Sequence, residues 1–94
     1  MSDTRTVSAI IRGRVQGVSY RAWTKETADG LGLSGNVRNR SDGSVAAVFS
    51  GPVEAVERML VLCRRGPSLA RVDEVAVTEV AEAPASVGFA VQRG

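Results

Sequence analysis

Residues 13–21 read Gly13-Arg14-Val15-Gln16-Gly17-Val18-Ser19-Tyr20-Arg21, and their types and spacing suit the binding of an anion. An apolar run, Val7, Ala9, Ile10 and Ile11, precedes them, and a helix-like segment follows from Ala22. Two glycines in a tight loop between a strand and a helix let consecutive backbone N–H groups converge into a nest for negative charge. The helix N-terminus adds partial positive charge at the same place. Arg21 adds a full charge and a planar fork that grips phosphate through two hydrogen bonds. A dinucleotide fingerprint would need three glycines at another spacing, and a nucleotide P-loop would need Lys-Ser/Thr after the last glycine, where this chain has Val18. The plainer reading of the same residues is a glycine turn followed by a solvated arginine. The second residue of interest is Asn39, whose amide offers both an acceptor and two donors.

The elements around these residues can be read from periodicity. Val7 to Arg12 is rich in β-branched residues and predicts a strand. Ile10 and Ile11 are adjacent, so neither face is strictly polar, as expected of an interior strand. Tyr20, Thr24, Ala28 and Leu31 recur at helical spacing, and Asp29-Gly30-Leu31-Gly32 stops that helix. Trp23 reads as packing rather than as a platform for a ligand, and Arg12, Arg14, Lys25 and Glu26 read as solvated. Leu33 to Asn39 predicts a second strand, and Arg40-Ser41-Asp42-Gly43 a hairpin turn, because Asp-Gly tolerates positive φ. Ser44 to Ser50 returns as a third strand with Val45, Ala47 and Phe49 on one face. Gly51-Pro52 opens a second helix, with proline at its first position. Val53, Val56, Met59, Leu60 and Cys63 form its apolar side, which makes Cys63 a core thiol and not a nucleophile. Gly66-Pro67 ends that helix, Val72 to Val80 reads as a fourth strand, Ala83-Pro84-Ala85 as a connection, and Val87, Phe89 and Val91 as a short fifth strand.

The resulting order is βαββαβ plus a short C-terminal strand. It predicts an α+β, ferredoxin-like split β-α-β sandwich with two helices on one face of an antiparallel-rich sheet. Residues 1–94 read as a single domain, with the polar segment 1–5 expected to be loose. In this plan the first two strands run the same way, with the third between them and antiparallel to both. Their C-terminal ends then share one end of the sheet, about 9–10 Å apart across two inter-strand steps. Arg21 follows the first and Asn39 closes the second. Topology therefore gives Asn39 a reason to face the loop, although asparagine is also an ordinary residue beside a hairpin.

Composition narrows the partners. The 94 residues suffice for one core, and 44% hydrophobic with 23% charged residues reads as globular. A net charge of +2 is too slight to argue for nucleic acid, while the pI near 9.3 suits an anionic ligand. One cysteine and no histidine leave neither an internal disulfide nor a zinc cluster, so no metal and no cofactor is expected. Met1-Ser2-Asp3 does not read as the start of a signal peptide and no apolar run is long enough to span a bilayer. The expectation is a soluble, cytoplasmic monomer with no membrane and no nucleic-acid partner.

Residues 13–21 resemble the signature loop of acylphosphatases, Gly-x-Val-Gln-Gly-Val-x-aromatic-Arg. Gly35-Asn36-Val37-Arg38-Asn39 followed by Asp42-Gly43-Ser44-Val45 resembles that family's second signature, and Gly66-Pro67-Ser68-Leu69-Ala70-Arg71-Val72 is similar to its late loop. The resemblance spans most of the chain from Val7 to Val91, in the family's order. It implies the same fold and the hydrolysis of a small-molecule acyl phosphate, a carboxyl–phosphate anhydride, to a carboxylate and inorganic phosphate, which acts as product or inhibitor. It also implies that Arg21 and Asn39 are catalytic and that Val15, Gln16, Gly17, Val18, Ser19 and Tyr20 form the phosphate-binding loop. Asn36 stands where an aromatic residue is usual, Tyr20 replaces the commoner phenylalanine, and Ser19 occupies a slot often held by glycine. The alternative function is a catalytically silent anion- or RNA-binding module of the same fold. RNA recognition would normally use exposed aromatics on the central strands, and aromatics make up only 4% of this chain.

Overall fold

The computed structural model describes residues 4–84 and 87–93. Its elements are β1 (Thr4–Arg14), α1 (Tyr20–Gly30), β2 (Ser34–Asn39), β3 (Val45–Pro52), α2 (Val53–Arg65), β4 (Arg71–Glu79) and β5 (Phe89–Gln92). They form one five-stranded sheet in the order β4-β1-β3-β2-β5. β3 is antiparallel to both β1 and β2, β4 is antiparallel to β1, and β5 runs parallel to β2. α1 packs over β2 and β5, and α2 over β4, β1 and β3.

The faces sort as alternation requires. Val7, Ala9 and Ile11 of β1, Val37 of β2, and Val45, Ala47 and Phe49 of β3 are buried beneath the helices with Val56, Met59 and Cys63 of α2. Phe49 stacks on Phe89 at 5.6 Å between ring centroids, which ties β5 into the same core. The aromatic residue that an RNA-binding sheet would expose is thus turned inward. Ile10 lies on the opposite face and is half-buried, in keeping with an interior strand paired on both sides.

The start and end of β1, the place of Pro52 and the partners of Lys25 differ from the sequence reading, each for a local reason. β1 begins at Thr4, so two residues of the segment expected to be loose pair with Pro52 and Gly51, and the Arg5 guanidinium ion-pairs with Glu79. Residues 1–3 of that segment, and Ala85 of the expected connection, lie outside the described residues. β1 also continues past Arg12, because a bulge at Arg12/Gly13 resets its register against β4. Gly13 takes φ +132° there, and a Cβ would collide with the Arg71 carbonyl oxygen, so glycine is required for the bulge. Pro52 is not the first helical residue of α2: it is the N-cap, still paired to Thr4 as the end of β3. Lys25 is not simply solvated, because its Nζ donates to the Phe89 carbonyl at 2.9 Å and to Asp29 at 2.8 Å, pinning α1 to β5.

Candidate active site

The loop between β1 and α1 is held by its own apolar residues. Val15 and Val18 are buried in the core, and Tyr20 is 1% exposed at the first turn of α1. Gly17 has φ +76° and Ser19 φ +64°, so the chain turns left-handed twice in three residues before the helix starts. Among the described residues no backbone acceptor takes the N–H groups from Gln16 to Ala22, and the first such bond of α1 runs from the Trp23 N–H to the Ser19 carbonyl at 3.0 Å. A helix always leaves its first N–H groups without an intrahelical partner. Here the preceding turn adds more such donors, the arrangement that binds anions.

A cavity of about 420 Å³ opens on these donors, lined by Val15, Gly17, Ser19, Tyr20, Arg21, Ala22, Asn39 and Val91. Arg21 and Asn39, 18 positions apart in sequence, therefore meet in one site, as the strand order predicts. Arg21 is half-buried as a residue, and its Nη1 donates to the Gln92 carbonyl at 2.9 Å in an exposed hydrogen bond. Asn39, the last residue of β2, carries a buried Oδ1 that has no hydrogen-bond partner among the described residues. A buried acceptor left unsatisfied costs about 1–3 kcal/mol.

Two of the expected loop residues face elsewhere. Val18 contributes its side chain to the core and does not line the cavity. The Gln16 side chain turns away: its Nε2 donates to the carbonyls of Arg40 and Ser44, both at 2.8 Å, and so clamps the loop to the turn that follows Asn39. That turn is held by Asp42, whose Oδ1 accepts from the Ser44 N–H and hydroxyl while Oδ2 faces Arg12 and Arg40. The Ser44 hydrogen bonds, with Arg12 and Arg40 beside them, hold the Asp42 carboxyl well below the usual carboxylate range. Ala22 and Val91 line the cavity without having been singled out from the sequence. Ala22 follows from being the residue after Arg21 in the first helical turn, whereas Val91 depends on where β5 docks. Among the described residues no three of His, Cys, Asp and Glu lie together as metal ligands, and no described helix is long and apolar enough to cross a membrane.

Residues 7–91 match the sequence profile of the Acylphosphatase family. The chain belongs to the acylphosphatase family. It is 60% identical over 85 residues to an acylphosphatase of Rhodospirillum rubrum, covering 90% of this chain and 92% of that one. The crystal structure of acylphosphatase from Bacillus subtilis superposes with a TM-score of 0.89 at 31% identity, over 93% of this chain and 97% of that one. An acylphosphatase structure from Coxiella burnetii gives 0.90 at 29% identity, over 96% and 94%. With that membership the chain is a hydrolase of acyl phosphates.

Its departures from the acylphosphatase pattern now have a physical account. Ser19 adopts φ +64° at the N-cap of α1, which explains why glycine suits the slot, and its hydroxyl makes no capping bond. Asn36 lies on β2 between the buried Gly35 and Val37 and does not line the loop cavity. The Tyr20 hydroxyl donates to the Cys63 carbonyl at 2.7 Å, satisfying one of the last carbonyls of α2, and burial pushes its own pKa up. Cys63 itself is fully buried, and that burial pushes its thiol up to about 12, as befits a core residue. Tyr20→Phe is expected to cost about 1–2 kcal/mol, the penalty for stranding a buried carbonyl. A thermal melt checks this, with phosphate affinity expected to stay within twofold of the parent.

Proposed function

We propose that acyl phosphates are hydrolysed here by direct attack of a water on phosphorus, without a metal and without a covalent intermediate. The backbone N–H groups of the loop and the Arg21 guanidinium hold the phosphoryl oxygens and stabilise the charge that shifts among them in the transition state. Asn39 orients the water. An amide takes no proton at neutral pH, so Asn39 is not the base, and the substrate's own phosphate accepts the proton. Asp42 is poorly suited to accept it, since it does not line the loop cavity and its carboxyl is spent on the turn. The observation that carries this reading is that Asn39 lines the same cavity as Arg21 and the residues with open N–H groups.

The test is release of phosphate from a small acyl phosphate, followed with and without a strong chelator and across pH. Turnover should be indifferent to the chelator and nearly flat between about pH 6 and 8, the window in which an unperturbed histidine would titrate. None of the perturbed groups near the loop titrates there, since Asp42 is shifted down, Tyr20 up and Cys63 up to about 12. Activity lost to the chelator and restored by a divalent ion would refute the metal-free route. Phosphate binding with no turnover of any acyl phosphate would leave only the silent anion binder.

A further inference from the structure

We infer, on the reading that the loop holds the phosphoryl group and Asn39 orients the water, that Gln16 is a positioning residue for the hydrolysis. Its side-chain amide sets how far the oriented water stands from the bound phosphorus. Gln16 lies between Val15 and Gly17, which both line the loop cavity, yet it does not line that cavity itself. Its Nε2 carries two hydrogens, and the carbonyls of Arg40 and Ser44 each stand 2.8 Å from it. Among the described residues these are the only hydrogen bonds between residues 15–19 of the loop and residues 39–44.

Each piece that Gln16 joins is secured without it. The loop is anchored by Val15 and Val18 in the core. The turn closes itself: the Arg40 N–H donates to the Ser44 carbonyl at 2.8 Å, and the Gly43 N–H donates to the Arg40 carbonyl at 3.2 Å. Asp42 Oδ1 accepts from the Ser44 N–H at 3.0 Å. The two carbonyls that Gln16 reaches therefore each keep a second donor, and removing its amide strands neither of them. What the amide adds is the placement of one piece against the other.

Asn39 depends on that placement. It is the last paired residue of β2, opposite Val45, and the turn begins at the next residue. Its side chain makes no hydrogen bond among the described residues, so its direction follows from the backbone that carries it. Gln16 holds that backbone one residue later, at the Arg40 carbonyl. A displacement of about 1 Å between reacting groups costs up to roughly 10²-fold in rate. Binding of phosphate alone does not feel this displacement, because the loop N–H groups and Arg21 move together on one side of the tie.

The test is Gln16→Met, which keeps the length of the side chain and removes both donors. Relative to the parent, kcat for a small acyl phosphate should fall about tenfold or more while the inhibition constant for inorganic phosphate stays within about twofold. Gln16→Ala should show the same split. Melting curves confirm that both variants are folded at the assay temperature, with Tm lower by roughly 5–10 °C for two lost hydrogen bonds. A double-mutant cycle separates positioning from general support of the loop. In the Asn39→Ala protein, adding Gln16→Met should change kcat by less than about twofold, because the group it positions is gone. Three results would overturn the inference and leave the mechanism standing: parental kcat in either Gln16 variant, phosphate inhibition that weakens as far as kcat falls, or a Gln16→Met loss of equal size with and without Asn39. Parental kcat in Asn39→Ala alone would overturn both, since no water would then depend on Asn39.

Discussion

Arg21→Ala is expected to lower turnover of an acyl phosphate by roughly 10²-fold or more and to abolish stabilisation of the protein by inorganic phosphate. The scale is that of removing one preorganised donor from a transition-state site. The geometry explains why the loss should exceed that of a surface charge. Arg21 lies at the start of α1, where the open N–H groups of the loop and the positive end of the helix converge. Its Nη1 is already fixed by the Gln92 carbonyl at 2.9 Å, so the guanidinium is aimed before any ligand arrives. Five N–H donors allow one to hold Gln92 while others grip phosphate. Lysine offers a single point charge on a flexible stem and cannot serve both partners in fixed geometry. Arg21→Lys should therefore recover little of the lost rate. Inhibition constants for inorganic phosphate, measured alongside kcat, decide the matter: near-parental inhibition in either variant would remove Arg21 from the phosphate site.

How far the sequence could foresee this site depends on the distance along the chain over which each contact acts. The strands around Val7–Ile11 and Val45–Phe49, and the Asp42-Gly43 turn, are local patterns, and they suffice to place Asn39 beside the loop through connectivity alone. The contacts that set the geometry are of another kind. Gln16 reaches carbonyls 24 and 28 residues away, and Arg21 a carbonyl 71 residues away. All three acceptors are backbone groups, whose availability no side-chain pattern reveals. Gln16 could be read only as a loop member, and its clamp on the hairpin emerges from the fold. Lys25 looked solvated because its helical neighbours are polar, yet its partner belongs to a strand that follows 64 residues later. The early start of β1 was hidden for the same reason, since Arg5 is polar and its pairing with Glu79 depends on the register against β4.

Asn39→Ala separates a catalyst from a silent anion binder, because it removes the group assigned to the water and leaves those assigned to the phosphate. An interaction made only in the transition state appears in kcat and not in ground-state affinity. The expected result is a phosphate affinity within a few-fold of the parent and a kcat lower by roughly 10²-fold or more, by analogy with the loss of a positioned catalytic donor. Stability should change little, within about 1 kcal/mol, because the deleted amide carries a buried Oδ1 that no group among the described residues satisfies. Removing an unsatisfied acceptor relieves a cost, which offsets the side-chain packing given up at the end of β2. A melting curve beside the kinetic assay checks that balance. Asn39→Asp should fail as well: a carboxylate keeps the acceptor but supplies no donors, and its charge opposes the bound phosphate. A folded Asn39→Ala protein that binds phosphate and turns over like the parent would make Asn39 a turn residue only. The loop and Arg21 would then have to orient the water unaided.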